Sequence, residues 1–97
     1  MADKETLHIT ETPEETKVST HVAKILGLDP NKDVWAKSTP IGGSTELYFS
    51  DAALAKKPLR QVSNVLSIQL GANILREDAH ARYVKVEKPV GEIARYL

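Results

Sequence analysis

Ninety-seven residues, 41% of them hydrophobic and 27% charged, suffice for one small globular core and are too few for two. With 13 basic and 13 acidic side chains the formal net charge is zero, so no global field draws the chain to nucleic acid or to anionic lipid. The lack of cysteine excludes disulfides, thiolate nucleophiles and cysteine-based zinc sites.

Residues 1–5 read as a frayed N-terminus and residues 6–97 as a single α+β domain. The opening "MADKETLHIT" lacks the apolar core of a signal peptide, and no run reaches membrane-spanning length, so a cytoplasmic protein is expected. Charge is uneven: residues 1–35 carry a net of −3 and residues 36–97 a net of +3.

"LHIT" (7–10) alternates as a short first strand. Thr12, Pro13 and Glu15 then spell a helix start, with a capping hydroxyl, a proline where its missing N–H costs nothing, and a capping-box glutamate. Val18, Val22, Ile25 and Leu26 form the apolar stripe, and Gly27 ends it. After the turn cluster "DPNKD", the runs "VWAKST" and "TELYFS" form a hairpin through "PIGG", where glycines permit positive φ. Ser50 and Asp51 cap a short turn, and Pro58 to Gly71 frames a second helix. Its stripe is Leu59, Val62, Val65, Leu66 and Leu70; Arg60, Ser63, Asn64 and Ser67 lie away from it, and Ile68 suggests cover on a second side. "HARYVKVEKP" alternates as the last strand, "ANILRE" before it is either helix end or strand, and "VGEIARYL" is a short helix or a tail.

The order β-α-β-β-α-β is that of the split βαβ, ferredoxin-like sheet, with two helices on one face. The alternative is an α+β sandwich in which "ANILRE" pairs with the last strand. Alternation places Leu7, Ile9, Val34, Ala36, Leu47, Phe49, Val84 and Val86 in the core. On the opposite face it places His8, Trp35, Lys37, Glu46, Tyr48, Tyr83 and Lys85. Three of the five aromatics therefore share the face that helices leave free. Trp35, Tyr48 and Tyr83, with Lys37 and Lys85, form the candidate partner-binding surface; cross-strand packing explains the same aromatics without a partner.

This layout also suggests RNA-recognition domains, but "LHIT" has no aromatic and "GSTELYFS" lacks their diagnostic Lys/Arg-Gly-aromatic core. His8, His21 and His80 fall on three different elements with no ligand spacing, and no metal or cofactor is expected. No nucleophile elbow or phosphate loop is present, so an enzyme is not expected either. Lys56, Lys57 and Arg60 surround a helix start, where the macrodipole disfavours cations, which makes them a candidate phosphate grip. "KKPLR" resembles the start of the first helix in the Alba family of archaeal chromatin proteins over about a dozen residues. The stretch from Pro58 to Glu87 is similar to part of the effector proteins of diiron monooxygenases, small subunits that act by docking. The expected function is a non-enzymatic binding or regulatory module that docks a protein partner or a second copy through the sheet face. Nucleic-acid binding through the aromatics and a basic patch is the first alternative, and an accessory subunit of an enzyme complex the second.

Overall fold

The computed structural model describes residues 10–97, so the proposed frayed terminus and all of "LHIT" except Thr10, which is not in a strand, lie outside the described residues. Helix α1 (Pro13–Leu26) forms where its caps dictate. The Thr12 hydroxyl accepts from the Glu15 amide at 3.1 Å, and the Glu15 carboxylate accepts from the Thr12 amide at 2.7 Å. At the other end Gly27 takes a left-handed conformation, φ 69°, and the Leu28 amide donates to the Ala23 carbonyl at 2.8 Å.

Strands β1 (Val34–Ser38) and β2 (Thr45–Phe49) form the expected hairpin. Two helices follow, α2 (Asp51–Lys56) and α3 (Leu59–Leu70), then β3 (Ile74–Asp78), β4 (Tyr83–Val86) and α4 (Val90–Arg95). The four strands are antiparallel neighbours in the order β1-β2-β4-β3. The architecture is therefore α+β, with "ILRED" as a strand paired to the last one. β2 and β3 both run antiparallel to β4 and so are parallel to each other, joined by the α2–α3 crossover. The inner place between them, which the ferredoxin-like order gives to an N-terminal strand, is filled by β4 from the C-terminal side.

Helices α1, α3 and α4 share one core with the sheet: α1 packs on β1, α3 on β3 and β4, and α4 on α1 and β1. The core joins Val18, Val22 and Leu26 of α1 to Val34, Leu47, Phe49, Val84 and Val86 of the sheet, with Leu66 and Ile93 closing it. α4 thus resolves the ambiguous C-terminus as a helix on the core side, where Val90, Ile93 and Ala94 are buried.

Two expectations for α3 are corrected. Ser63 is buried and its hydroxyl meets no acceptor among the described residues, while Val65 is only partly covered. Ile68 is 78% exposed rather than covered from a second side, because it lies roughly 180° around the helix from the buried line Leu66–Leu70.

A polar knot ties the loops beneath the sheet. Asp33 is buried; its carboxylate accepts from the Asp29 amide at 3.0 Å and from the Ser50 hydroxyl at 2.7 Å. Ser50 in turn caps α2 by accepting from the Ala53 amide at 3.1 Å.

Candidate functional site

The sheet face turned away from the helices carries two cross-strand rows. One runs Trp35, Tyr48, Tyr83, Asp78, and the other Lys37, Glu46, Lys85, Arg76. Alternation therefore assigns the sides of β1, β2 and β4 correctly.

It does not give the cover. Trp35 is 0% exposed, so the expected central anchor is not presented to solvent. Beside it, the start of α1 and the residues just before it line the edge of β1. The Ala36 amide donates to Glu11 at 2.7 Å, the Lys37 ammonium reaches the Thr10 carbonyl at 3.4 Å, and the Ser38 amide donates to Glu15 at 2.8 Å. The backbone at residues 10–15 thus lines β1, while Tyr48 flanks Trp35 on its other side.

Tyr48 and Tyr83 remain half-buried, with ring centroids 5.2 Å apart and planes tilted by 49°, a favourable aromatic arrangement. The Tyr48 hydroxyl donates to Glu46 at 2.9 Å. Burial, then the Glu46 hydrogen bond and its charge, push the phenol up to about 12. Beside this pair the face dips into a hollow of about 520 Å³ between the β1–β2 turn and β3. Lys85 and Glu46 line it, and exposed Ile41 and Leu75 stand at its rim. Sequence periodicity does not reveal these two apolar residues, since one sits in a turn and the other at an irregularity between Ile74 and Arg76. An isoleucine inside "PIGG" was the available signal for the first.

Contacts within the fold account for the residues of the candidate phosphate grip. Lys56 lies in the last turn of α2 and Lys57 is its C-cap, so the pair closes one helix directly ahead of Pro58, the N-cap of the next. At a C-terminus the macrodipole favours cations, and folding alone accounts for both lysines. Three arginines each have an anionic partner: Arg60 with Glu77 at 3.1 Å, Arg76 with Asp78 at 3.3 Å and Arg82 with Asp51 at 2.9 Å. The Lys88 ammonium donates to the Leu70 carbonyl at 2.7 Å and so caps α3.

Asp78 also accepts from the Ala81 amide at 2.8 Å, and that hydrogen bond, together with Arg76, holds its carboxyl below the ordinary range. His21 sits on α1 and His80 in the β3–β4 turn; His8 lies outside the described residues. Among the described residues no group of three or more histidine, aspartate or glutamate side chains is placed to hold a metal ion. No described helix is long and apolar enough to cross a membrane.

Comparison with family models, with curated proteins and with solved structures returns no match. The functional reading therefore rests on geometry alone.

Proposed function

We propose that the chain is a non-enzymatic binding module that docks a protein partner on the sheet face opposite the helices. The observation that carries this reading is the composition of that face. An aromatic pair, Tyr48 and Tyr83, lies beside a hollow rimmed by Ile41 and Leu75, and the charges of Lys37, Lys85 and Arg76 surround them. A partly apolar centre with a charged rim is the usual anatomy of a protein interface, and tyrosines supply large contact area with few rotors. A role as an accessory subunit of a larger complex is one form of the same activity.

Co-purification of partners with the full chain, wild type against the Tyr83→Asp, Lys85→Glu variant, tests the reading. The face variant should lose partners that Asn64→Glu, an exposed change on α3, retains. Equal recovery by all three proteins would overturn it.

Nucleic-acid binding has less support, because the arginines that would hold phosphates are matched by carboxylates. Trp35 cannot serve as a stacking surface while it is buried. Anisotropy of a labelled single-stranded oligonucleotide at two salt concentrations separates the two readings: salt-dependent binding would replace the protein-docking reading.

A further inference from the structure

The two edges of the sheet are treated differently. On β1 the outward amides of Ala36 and Ser38 are both taken by carboxylates of the same chain, at 2.7 and 2.8 Å. At the other side, the Phe49 amide donates to the Arg82 carbonyl at 2.9 Å. Alternation in an antiparallel ladder then turns the backbone of Val84 and Val86 towards β2 and that of Tyr83 and Lys85 towards β3. Their partners Asp78 and Arg76 face inward, which leaves the amide and carbonyl of Glu77 pointing away from the sheet. Among the described residues nothing hydrogen-bonds that outward backbone, and Leu75 beside it is 50% exposed.

We propose that β3 is a pairing edge for a second copy of this chain, antiparallel about a two-fold axis at Glu77, making one continuous eight-stranded sheet from two four-stranded ones. The occupant follows from charge. In this register Arg76 lies opposite Asp78 of the second copy and Asp78 opposite its Arg76, both on the face away from the helices. The two Glu77 side chains meet on the helix side, where each is already held by its own Arg60 at 3.1 Å. Moving the axis by one residue sets Arg76 against Arg76 or Asp78 against Asp78, like charge on like. Charged residues on an edge ordinarily prevent pairing; here they permit one register and reject its neighbours. The pairing uses the strand edge and not the sheet face, so it stands apart from the docking reading above.

Sedimentation velocity of the full chain over a range of concentrations tests it, using wild type, Glu77→Pro, Arg76→Asp, Asp78→Lys, and an equimolar mixture of the last two. The wild type should form a dimer as concentration rises. Glu77→Pro should be monomeric with an unchanged far-ultraviolet circular dichroism spectrum, because the lost N–H points out of the β3–β4 ladder. Arg76→Asp and Asp78→Lys should each weaken dimerisation by roughly tenfold or more through like-charge contacts. The mixture should restore a one-to-one dimer, since two acids then face two bases. Asp78→Lys also loses the hydrogen bond to Ala81, so its folding is checked first by thermal melting. A wild type that stays monomeric throughout, a dimer that survives Glu77→Pro, or folded variants whose mixture stays monomeric would each overturn the proposal.

Discussion

Replacing Glu15 tests whether one buried carboxylate joins the start of α1 to the edge of β1. The residue is 3% exposed and accepts from two backbone amides, Thr12 at 2.7 Å and Ser38 at 2.8 Å. A hydrogen bond to a charged group contributes about 1.5–3 kcal/mol, and the freed amides are partly reached by water, so Glu15→Ala should cost roughly 2–4 kcal/mol. In a domain of this size that corresponds to a fall in Tm of roughly 10–25 °C. Glu15→Gln should not rescue it: one amide keeps an oxygen acceptor while the other meets an NH₂ donor. Glu14→Ala, one residue earlier and exposed, should cost only about 0.5 kcal/mol through the helix dipole.

The effect should depend on pH in a defined direction. Burial alone would raise the Glu15 carboxyl, but the amides of Ser38 and Thr12 and the charge of Lys37 more than offset it and hold it below the ordinary 4.5. A lowered folded pKa contributes stability that is complete above the unfolded value and is lost as pH falls through the folded one. The gap between wild type and Glu15→Gln, followed by thermal melts, should therefore close as pH drops below about 4.5. Variants within about 0.5 kcal/mol of wild type at neutral pH, or a gap that widens on acidification, would refute the reasoning.

Trp35→Ala should cost about 3–5 kcal/mol in chemical denaturation, as for other large buried aromatics, whereas Ile68→Lys should stay within about 0.5 kcal/mol; near-neutral stability of Trp35→Ala would mean that the ring is not enclosed. Tyr48 should release its proton at about 12 instead of the ordinary 10.0, seen as a late component of the tyrosinate absorbance that Tyr48→Phe removes. Because that folded pKa is raised, the stabilisation is present below about pH 10 and is lost as pH climbs towards about 12, in wild type and not in Tyr48→Phe.

Much of the fold was legible because its signals are local. Thr12, Pro13, Glu15 and Gly27 bound α1, Pro58 and Gly71 bound α3, and strict alternation sorts Trp35, Tyr48 and Tyr83 from Val34, Leu47 and Val84. What failed depends on partners distant in sequence. Alternation says which side Trp35 faces, but not that the ring is enclosed, which packing beyond the strand itself decides. The division of residues 51–70 into two helices, which turns Lys56 and Lys57 from an anomaly into a C-terminal pair, depends on a six-residue helix with too few turns to show a stripe. Likewise the Asp33–Ser50 bond spans 17 positions between what read as separate turns. The candidate face was half legible: its tyrosines and lysines by alternation, but not Leu75 of its apolar rim, which sits at the strand irregularity, while Ile41 was marked only by its place in a glycine turn.

The strand order itself follows from what each strand can tolerate at its sides. β4 has Val84 and Val86 fully buried on one face and Tyr83 half-buried on the other, so it is suited to the interior, where both of its edges are paired. β3 carries Arg76, Glu77 and Asp78 in succession, and three charges in five residues are compatible only with an edge. β1 begins Val-Trp-Ala, apolar on both faces, and at an edge it would be the aggregation hazard of this sheet. Carboxylates from just before and within the first turn of α1 occupy its outward amides, so the capping box that starts the helix also seals the strand. The two edges are therefore controlled by different means: β1 by occupation and β3 by charge. Occupation removes the Ala36 and Ser38 amides as donors to any added strand, whereas charge would exclude only strands whose sequence does not match, so the proposed pairing falls to β3.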